Sequence, residues 1–284
     1  MTIQWYPGHM ARARKALALS IPKQDVVIEL LDARAPRASA NPVVAELCGQ
    51  KPCLKVLAKS DLADPEVTKA WLRSFEEGSG VRPGSVLAMA ATTTHAADTK
   101  SRVLQLVRRL NPRGPAAEGS APRATYVIIV GVPNAGKSTL INTLAGRRVA
   151  KVGDEPAVTK AAQLVVLDGN IVLSDNPGIL WPKLEDEAAA CRLALAGSLP
   201  DTAIDFEIVA HFGAAFLLAH YPERLVARYD LAVLPDGPEA LLLEIGKRLG
   251  AIRAGGRVDL HKAADYLIHD FREGALGRIT LEAP

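Results

Sequence analysis

The sequence predicts an α/β fold: a mostly parallel sheet with helices on both faces, followed by an all-α C-terminal domain. Two observations carry this. Through the first two thirds, short apolar runs alternate with stretches of helical period, the pattern of strands joined by helical crossovers. After about residue 186 strand candidates disappear and only helical periods remain.

The elements follow in order. DVVIELLDA (25–33) is a run of strand length and NPVVAELCG (41–49) a short helix. CLKVLA (53–58) is the next strand and PEVTKAWLRSFEEG (65–78) the next helix. GSVLAMAA (84–91) is a third strand. DTKSRVLQLVRRLN (98–111) is a helix with Val103, Leu106, Val107 and Leu110 on one face. PRGPAAEGSAPRA (112–124) has no apolar period and predicts an exposed linker. TYVIIVG (125–131) is the most strand-like segment, and GKSTLINTLAG (136–146) a helix ended by Gly146. QLVVLDGNIVLSD (163–175) predicts a hairpin turning at Asp168-Gly169-Asn170. Residues 185–199, 204–221, 237–251 and 260–274 carry the later helical periods. The expected division is a domain at 1–185 and a helical domain at 186–284, a size within the usual range.

Composition narrows the class. The 284 residues are 49% hydrophobic, enough for a sizeable core. A net charge of +3 permits an RNA partner without arguing for one. The three cysteines, Cys48, Cys53 and Cys191, have no CxxC spacing, so reduced thiols are expected. The first residues, MTIQWYPGHMARARK, lack the apolar centre of a signal peptide, and no apolar run is long enough to span a bilayer. A soluble cytoplasmic protein with no membrane or DNA partner is expected.

GVPNAGKST (131–139) fits G-x-x-x-x-G-K-[ST] between a strand and a helix, the context this phosphate-binding motif requires. Backbone N–H groups of Pro133's successors Asn134, Ala135 and Gly136, and of Lys137, Ser138 and Thr139 at the helix start, would face the phosphates of a nucleoside triphosphate. Lys137 would reach the β- and γ-phosphates and the Ser138 hydroxyl would bind Mg²⁺. Downstream, Asp175-Asn176-Pro177-Gly178 places an acid at a strand end and a glycine three residues on. Asp175 could hold the Mg²⁺ shell and the Gly178 N–H could meet the γ-phosphate. Thr159, in DEPAVTK (154–160), could close over the metal. Both segments look like GTPase switch loops.

A switch GTPase also reads its base, usually with [NT]-K-x-D. The Asp accepts hydrogen bonds from guanine N1–H and the exocyclic amine, donors that adenine lacks. The one candidate is Ala58-Lys59-Ser60-Asp61, which precedes the phosphate loop instead of following it. Reordered connections, joined through 112–124, would account for this.

The combination resembles the circularly permuted GTPases, and in particular the ribosome-biogenesis GTPase A family, also called YlqF or RbgA. WYPGHMARA (5–13), DVVIELLDARAP (25–36), GVPNAGKSTLIN, DNPGILWPK and DFREGALGRITLE (270–282) look like family segments, so the resemblance covers nearly the whole chain. It implies a P-loop GTPase fold, circularly permuted, using GTP/GDP and Mg²⁺. The implied activity is GTP hydrolysis in late assembly of the large ribosomal subunit, stimulated on the particle, with the helical domain contacting rRNA of the subunit precursor.

This sequence departs from the family pattern at several points. Ala58 stands where Asn or Thr is usual, Ala157 replaces the Gly of P-G-V-T and Asn176 the Thr of D-T-P-G. AMAATT is a poor match to the S-A-x turn behind the base, with Ala90 and Ala91 the corresponding residues. Ile179 occupies the position where many switch GTPases carry a water-orienting Gln. The family's candidate for that task is His9; the alternative is a surface or structural histidine. Asn134 is a candidate ligand for K⁺ or else a turn-stabilising residue. Arg253, Arg257, Lys262, Arg272 and Arg278, with Tyr266 and Phe271 among them, suit RNA contact or a solvated face over a core. Two rival classes stay open on sequence alone: a small-molecule P-loop kinase and a non-hydrolysing GTP-binding scaffold.

Overall fold

The computed structural model describes residues 7–78, 84–111, 123–150, 163–168, 170–175 and 186–284; for 7–13, 163 and 175 it describes the backbone only. Six strands form one sheet: β1 Val26–Asp32, β2 Cys53–Ala58, β3 Val86–Ala90, β4 Thr125–Gly131, β5 Gln163–Leu167 and β6 Ile171–Asp175. Their order is β3-β2-β1-β4-β6-β5. All neighbours run parallel except β5 and β6, which form the expected antiparallel hairpin. β4, which leads into the phosphate loop, therefore lies inside the sheet beside the first strand of the chain. The three strands that precede it in sequence line up on one side and the hairpin on the other. The strand that leads into the phosphate loop is thus fourth in sequence yet internal in the sheet, the order expected of a circularly permuted chain.

Helices of this region are α1 Pro7–Ser20, α2 Pro36–Ser39, α3 Pro42–Cys48, α4 Pro65–Glu77, α5 Ala96–Leu110 and α6 Lys137–Ala145. Local chemistry sets their starts. Asn41 caps α3 through Val43 N–H, and Asp64 caps α4 through Glu66 and Val67 N–H, each with a proline in the first turn. α6 ends at Gly146 in the left-handed region, as its sequence predicts. α5 begins two residues before the predicted start and buries Val103, Leu104, Val107 and Leu110. Leu106 is only partly buried. The linker segment 112–122 lies outside the described residues.

The C-terminal region contains α7 Glu187–Leu195, α8 Phe206–His220, α9 Pro222–Tyr229, α10 Pro238–Arg248 and α11 Leu260–Glu273. Like α1 and α2, α9 has no counterpart among the predicted elements. It is eight residues long, shorter than a window in which helical period is legible. α8 packs on α7, α10 and α11. The apolar core is continuous from the sheet (Ile28, Leu54, Ile129) into these helices (Leu195, Leu217, Leu267, Phe271). Leu17 and Ile21 cover the opposite face of the sheet over Val27, Ile128 and Val130. No helix among the described residues is long and apolar enough to cross a membrane, and Cys48, Cys53 and Cys191 are free.

Candidate functional site

Both candidate loops leave the carboxyl edge of the sheet, where ligands of open α/β folds bind. The phosphate loop leaves β4. Gly131 opens it against β1, and any side chain there would collide with the Leu30 carbonyl. Asn134 and Gly136 both take positive φ, at 55° and 95°, which bends the loop around α6's N-terminus. Lys137 is buried, and its ammonium donates to the carbonyls of Gly131 (3.2 Å) and Val132 (2.7 Å). The cation is thus held over the loop rather than extended into solvent. Ser138 and Thr139 lie in the first turn of α6, where backbone N–H groups have no intrahelical partner. A cationic side chain, positive-φ turns and a helix start are the donor set an anionic polyphosphate needs, so the residues present fit it.

Asn134 has a second contact. Its amide Nδ2 donates to the carbonyl of Gly197, just past α7, at 2.9 Å. The phosphate loop is therefore tied to the C-terminal region.

The base-reading candidate leaves β2 two strands away. Lys59 adopts φ 56°, an uncommon conformation for a lysine. Its ammonium meets Asp32 Oδ2 at 3.1 Å. Asp32 ends β1 directly beside Ala58. It is fully buried and also accepts from Arg34: Nε to Oδ1 at 2.9 Å and Nη2 to Oδ2 at 2.8 Å. Burial would raise the Asp32 carboxyl, but Arg34 and Lys59 overcome it and hold the group well below the usual carboxylate range. Burial lowers the Lys59 ammonium despite the attraction of Asp32. The lysine of the candidate motif is thus positioned by a buried ion cluster that its own segment does not contain.

Arg34 extends the cluster. Its Nη2 donates to Ala196 O at 2.8 Å, and its guanidinium lies 5.3 Å from the Phe271 ring centroid. Ala196 and Gly197, consecutive residues, thus receive one hydrogen bond from the base-end cluster and one from the phosphate loop.

Asp61 is exposed, as a ligand-reading carboxylate should be. Ser60 before it donates twice to Ala91 O, from N (3.2 Å) and Oγ (3.0 Å). Ala91 N in turn donates to Leu57 O at 2.8 Å. The structure therefore brings Ala90 and Ala91 beside Lys59 and Asp61 despite the poor motif match. Asp175 ends β6 next to Ile129 of β4, one strand from the phosphate loop; its side chain, like that of His9 in α1, lies outside the described residues. So do Thr159, Gly178 and Ile179.

Sequence reasoning gave no role to Asp32, Arg34, Ser60, Ala196 or Gly197. The first two left a signal: an Asp-x-Arg at the end of a largely apolar strand, where unpaired charge is costly. The last two left none, since they act through backbone carbonyls. Of the five basic residues picked out in the tail, two are used internally. Arg272 donates to Ala194 O (2.9 Å) and pairs with Asp201 (3.0 Å), and Arg278 donates to Ala63 O (2.8 Å). Arg253 pairs with Asp259 at 2.8 Å but stays exposed, as do Arg257 and Lys262. Leu267, Ile268 and Phe271 are core, while Tyr266 is partly buried.

Known proteins bear on this geometry. Residues 126–204 match the family model described as 50S ribosome-binding GTPase. The chain is 41% identical over 284 residues to Ribosome biogenesis GTPase A of Bacillus pumilus, covering 100% of this chain and 99% of that one. It is 42% identical to the protein of the same name from Bacillus licheniformis, with the same coverage. Among solved structures, GNP-bound YlqF from T. maritima aligns with a TM-score of 0.66 at 26% identity, covering 96% of this chain and 98% of that one. With a permuted P-loop sheet, both candidate loops at one edge and relatives matched end to end, this chain belongs to the ribosome biogenesis GTPase A family.

Proposed function

We propose that this protein is a cytoplasmic GTPase that acts in late assembly of the large ribosomal subunit, binding the subunit precursor and its rRNA in a nucleotide-dependent way. The observation that carries the nucleotide half is the pair of loops at one sheet edge, the phosphate loop hydrogen-bonded to Gly197 and the Asp32–Arg34 cluster that holds Lys59 hydrogen-bonded to Ala196. The ribosomal half rests on full-length similarity to proteins named for ribosome biogenesis.

The residues divide the work as follows. Asp61 accepts guanine N1–H and the exocyclic amine. Lys59 packs its stem along the base while Asp32 holds its ammonium. Ala90 and Ala91 back the base through Ser60. The backbone from Pro133 through Thr139 cradles the phosphates, with Lys137 supplying positive charge at the β- and γ-oxygens. Ser138, Thr159 and Asp175 would hold Mg²⁺, which supplies charge neutralisation at those oxygens when bound. The Gly178 N–H meets the γ-phosphate. Asn134 would ligate K⁺ through Oδ1, while its Nδ2 donates to Gly197 O. His9 would orient the attacking water, the task Ile179 cannot perform.

Nucleotide-dependent binding has a physical route. Ala196–Gly197 lies between α7 and α8, so a change at the phosphate loop or at the Asp32–Arg34 cluster would reach the helical region. Arg253, Arg257 and Lys262 are the exposed cations of that region proposed to meet RNA phosphates.

GTP turnover with and without purified large-subunit particles tests the proposal. Slow turnover alone, raised by the particles, is expected. Turnover that particles leave unchanged would remove the ribosomal half. An unchanged stimulated rate in His9→Ala would remove the catalytic histidine.

A further inference from the structure

The segment after α11, Arg278–Glu282, makes a run of contacts that its position at the far end of the chain gives no reason to expect. Arg278 Nε donates to Ala63 O (2.8 Å) and Nη2 to Ser60 O (3.0 Å). Ile279 N donates to Leu62 O (3.0 Å). Thr280 Oγ1 accepts from Asp64 N (3.0 Å) and donates to Ala33 O (3.4 Å). Leu281 N donates to Arg34 O (2.7 Å). Glu282 accepts at its backbone from Trp71 Nε1 (2.9 Å) and at Oε1 from Ala38 N (2.8 Å). Ile279, Thr280 and Leu281 are buried in doing so.

These partners are not scattered. Ser60, Leu62, Ala63 and Asp64 surround Asp61 on both sides in sequence, and Ala33 and Arg34 follow Asp32, which holds Lys59. Leu62 also lies against Gly274, where any side chain would collide with it. Within the loop that carries Asp61, Leu62 N donates to Lys59 O at 3.0 Å. Its backbone is also tied to Ala91 on one side and to the C-terminal strap on the other. A carboxylate that must meet two donors of one base edge needs a fixed backbone, because a misplacement of about 1 Å breaks bidentate geometry. The usual Asn or Thr at the start of such a motif is Ala58 here, so that side chain contributes no hydrogen bond.

We infer that the C-terminal strap, through Arg278, is a positioning element for guanine selection: it clamps the carbonyls flanking Asp61 and thereby holds the carboxylate in register with the base edge. The inference rests on the assignment of Asp61 as the base reader. Arg278 itself touches no nucleotide atom in this account; it acts through Ser60 and Ala63. Because its side chain is exposed, it can be replaced without opening the core.

The test is competition titration of a fluorescent GDP on the full-length chain by GDP, IDP and ADP, for wild type, Arg278→Ala and Arg278→Lys, with thermal melts of each without nucleotide. IDP keeps N1–H but lacks the exocyclic amine, so the GDP-to-IDP ratio reads the amine half of the bidentate contact. Arg278→Ala is expected to weaken GDP about 5- to 20-fold, to weaken ADP little and to shrink the GDP-to-IDP ratio, with a near-wild-type melting point. Arg278→Lys, able to reach one carbonyl of the two, falls between. Both variants keeping the wild-type GDP-to-IDP ratio would overturn the inference, as would a loss that affects GDP, IDP and ADP equally. A wild type that does not prefer GDP over ADP would instead remove the assignment of Asp61, a separate failure.

Discussion

The two ends of the proposed nucleotide site are built in different ways. The phosphate end is local: nine consecutive residues, Gly131 to Thr139, supply the turns, the helix start and the lysine, and Lys137 is held by carbonyls of its own loop. The base end is assembled from distant segments. Lys59 depends on Asp32, Asp32 on Arg34, Arg34 on Ala196, and the backbone around Asp61 on Arg278 and Thr280. A site built from one segment survives permutation of the chain unaltered. A site built from several needs each piece brought back by the fold, and here the C-terminal region does that.

That contrast can be broken most severely at Asp32. Asp32→Asn leaves Arg34 and Lys59 without a counter-charge in a buried place and should cost about 3–5 kcal/mol of stability, read by chemical denaturation. The sign with pH is fixed by the depressed carboxyl. Its contribution is fully present above the unfolded value, near pH 4, and is lost as pH falls through the lower folded value. Wild type should therefore lose stability below about pH 4 more steeply than Asp32→Asn.

Next in size is Asp61→Ala. Losing two charge-assisted hydrogen bonds to guanine should weaken GTP by about 100-fold and leave ATP nearly unchanged, measured by titration. At the phosphate end, Asn134→Ala removes both the Gly197 contact and the proposed K⁺ ligand. Its turnover should become equal in K⁺ and Na⁺, while wild type is faster in K⁺. Equal wild-type rates in the two salts would remove the K⁺ role. The smallest effect is expected from Ala58→Asn, which restores the usual donor and should tighten GDP by up to about 10-fold. No gain there would mean that the strap already supplies all the order this side chain could add.

The same contrast explains what the sequence made legible. The strands, most helices and the phosphate loop follow from local patterns: apolar runs, capping Asp and Asn residues, and a glycine motif between a strand and a helix. Lys59 and Asp61 were readable as a motif, but their supports were not. Arg34 to Ala196 spans 162 positions and Arg278 to Ser60 spans 218, and both end on backbone carbonyls, which carry no residue identity. Arg272 and Arg278 illustrate the resulting ambiguity. In sequence they belong to a basic stripe with aromatics, a pattern shared by RNA-binding surfaces and by internal braces. Only the fold distinguishes the two uses: it engages Arg272 and Arg278 with backbone carbonyls of other segments, although Arg278 stays exposed, as do Arg253, Arg257 and Lys262. α2 and α9 were missed for a simpler reason, their length.

The central claim is that a loop placed ahead of the phosphate motif in the chain reads guanine. The most direct measurement is side-by-side titration of the full-length protein with GTP and ATP. A preference for GTP of about 100-fold or more is predicted, from the unpaired Asp61 carboxylate that adenine would leave. Equal affinity for the two nucleotides would contradict it.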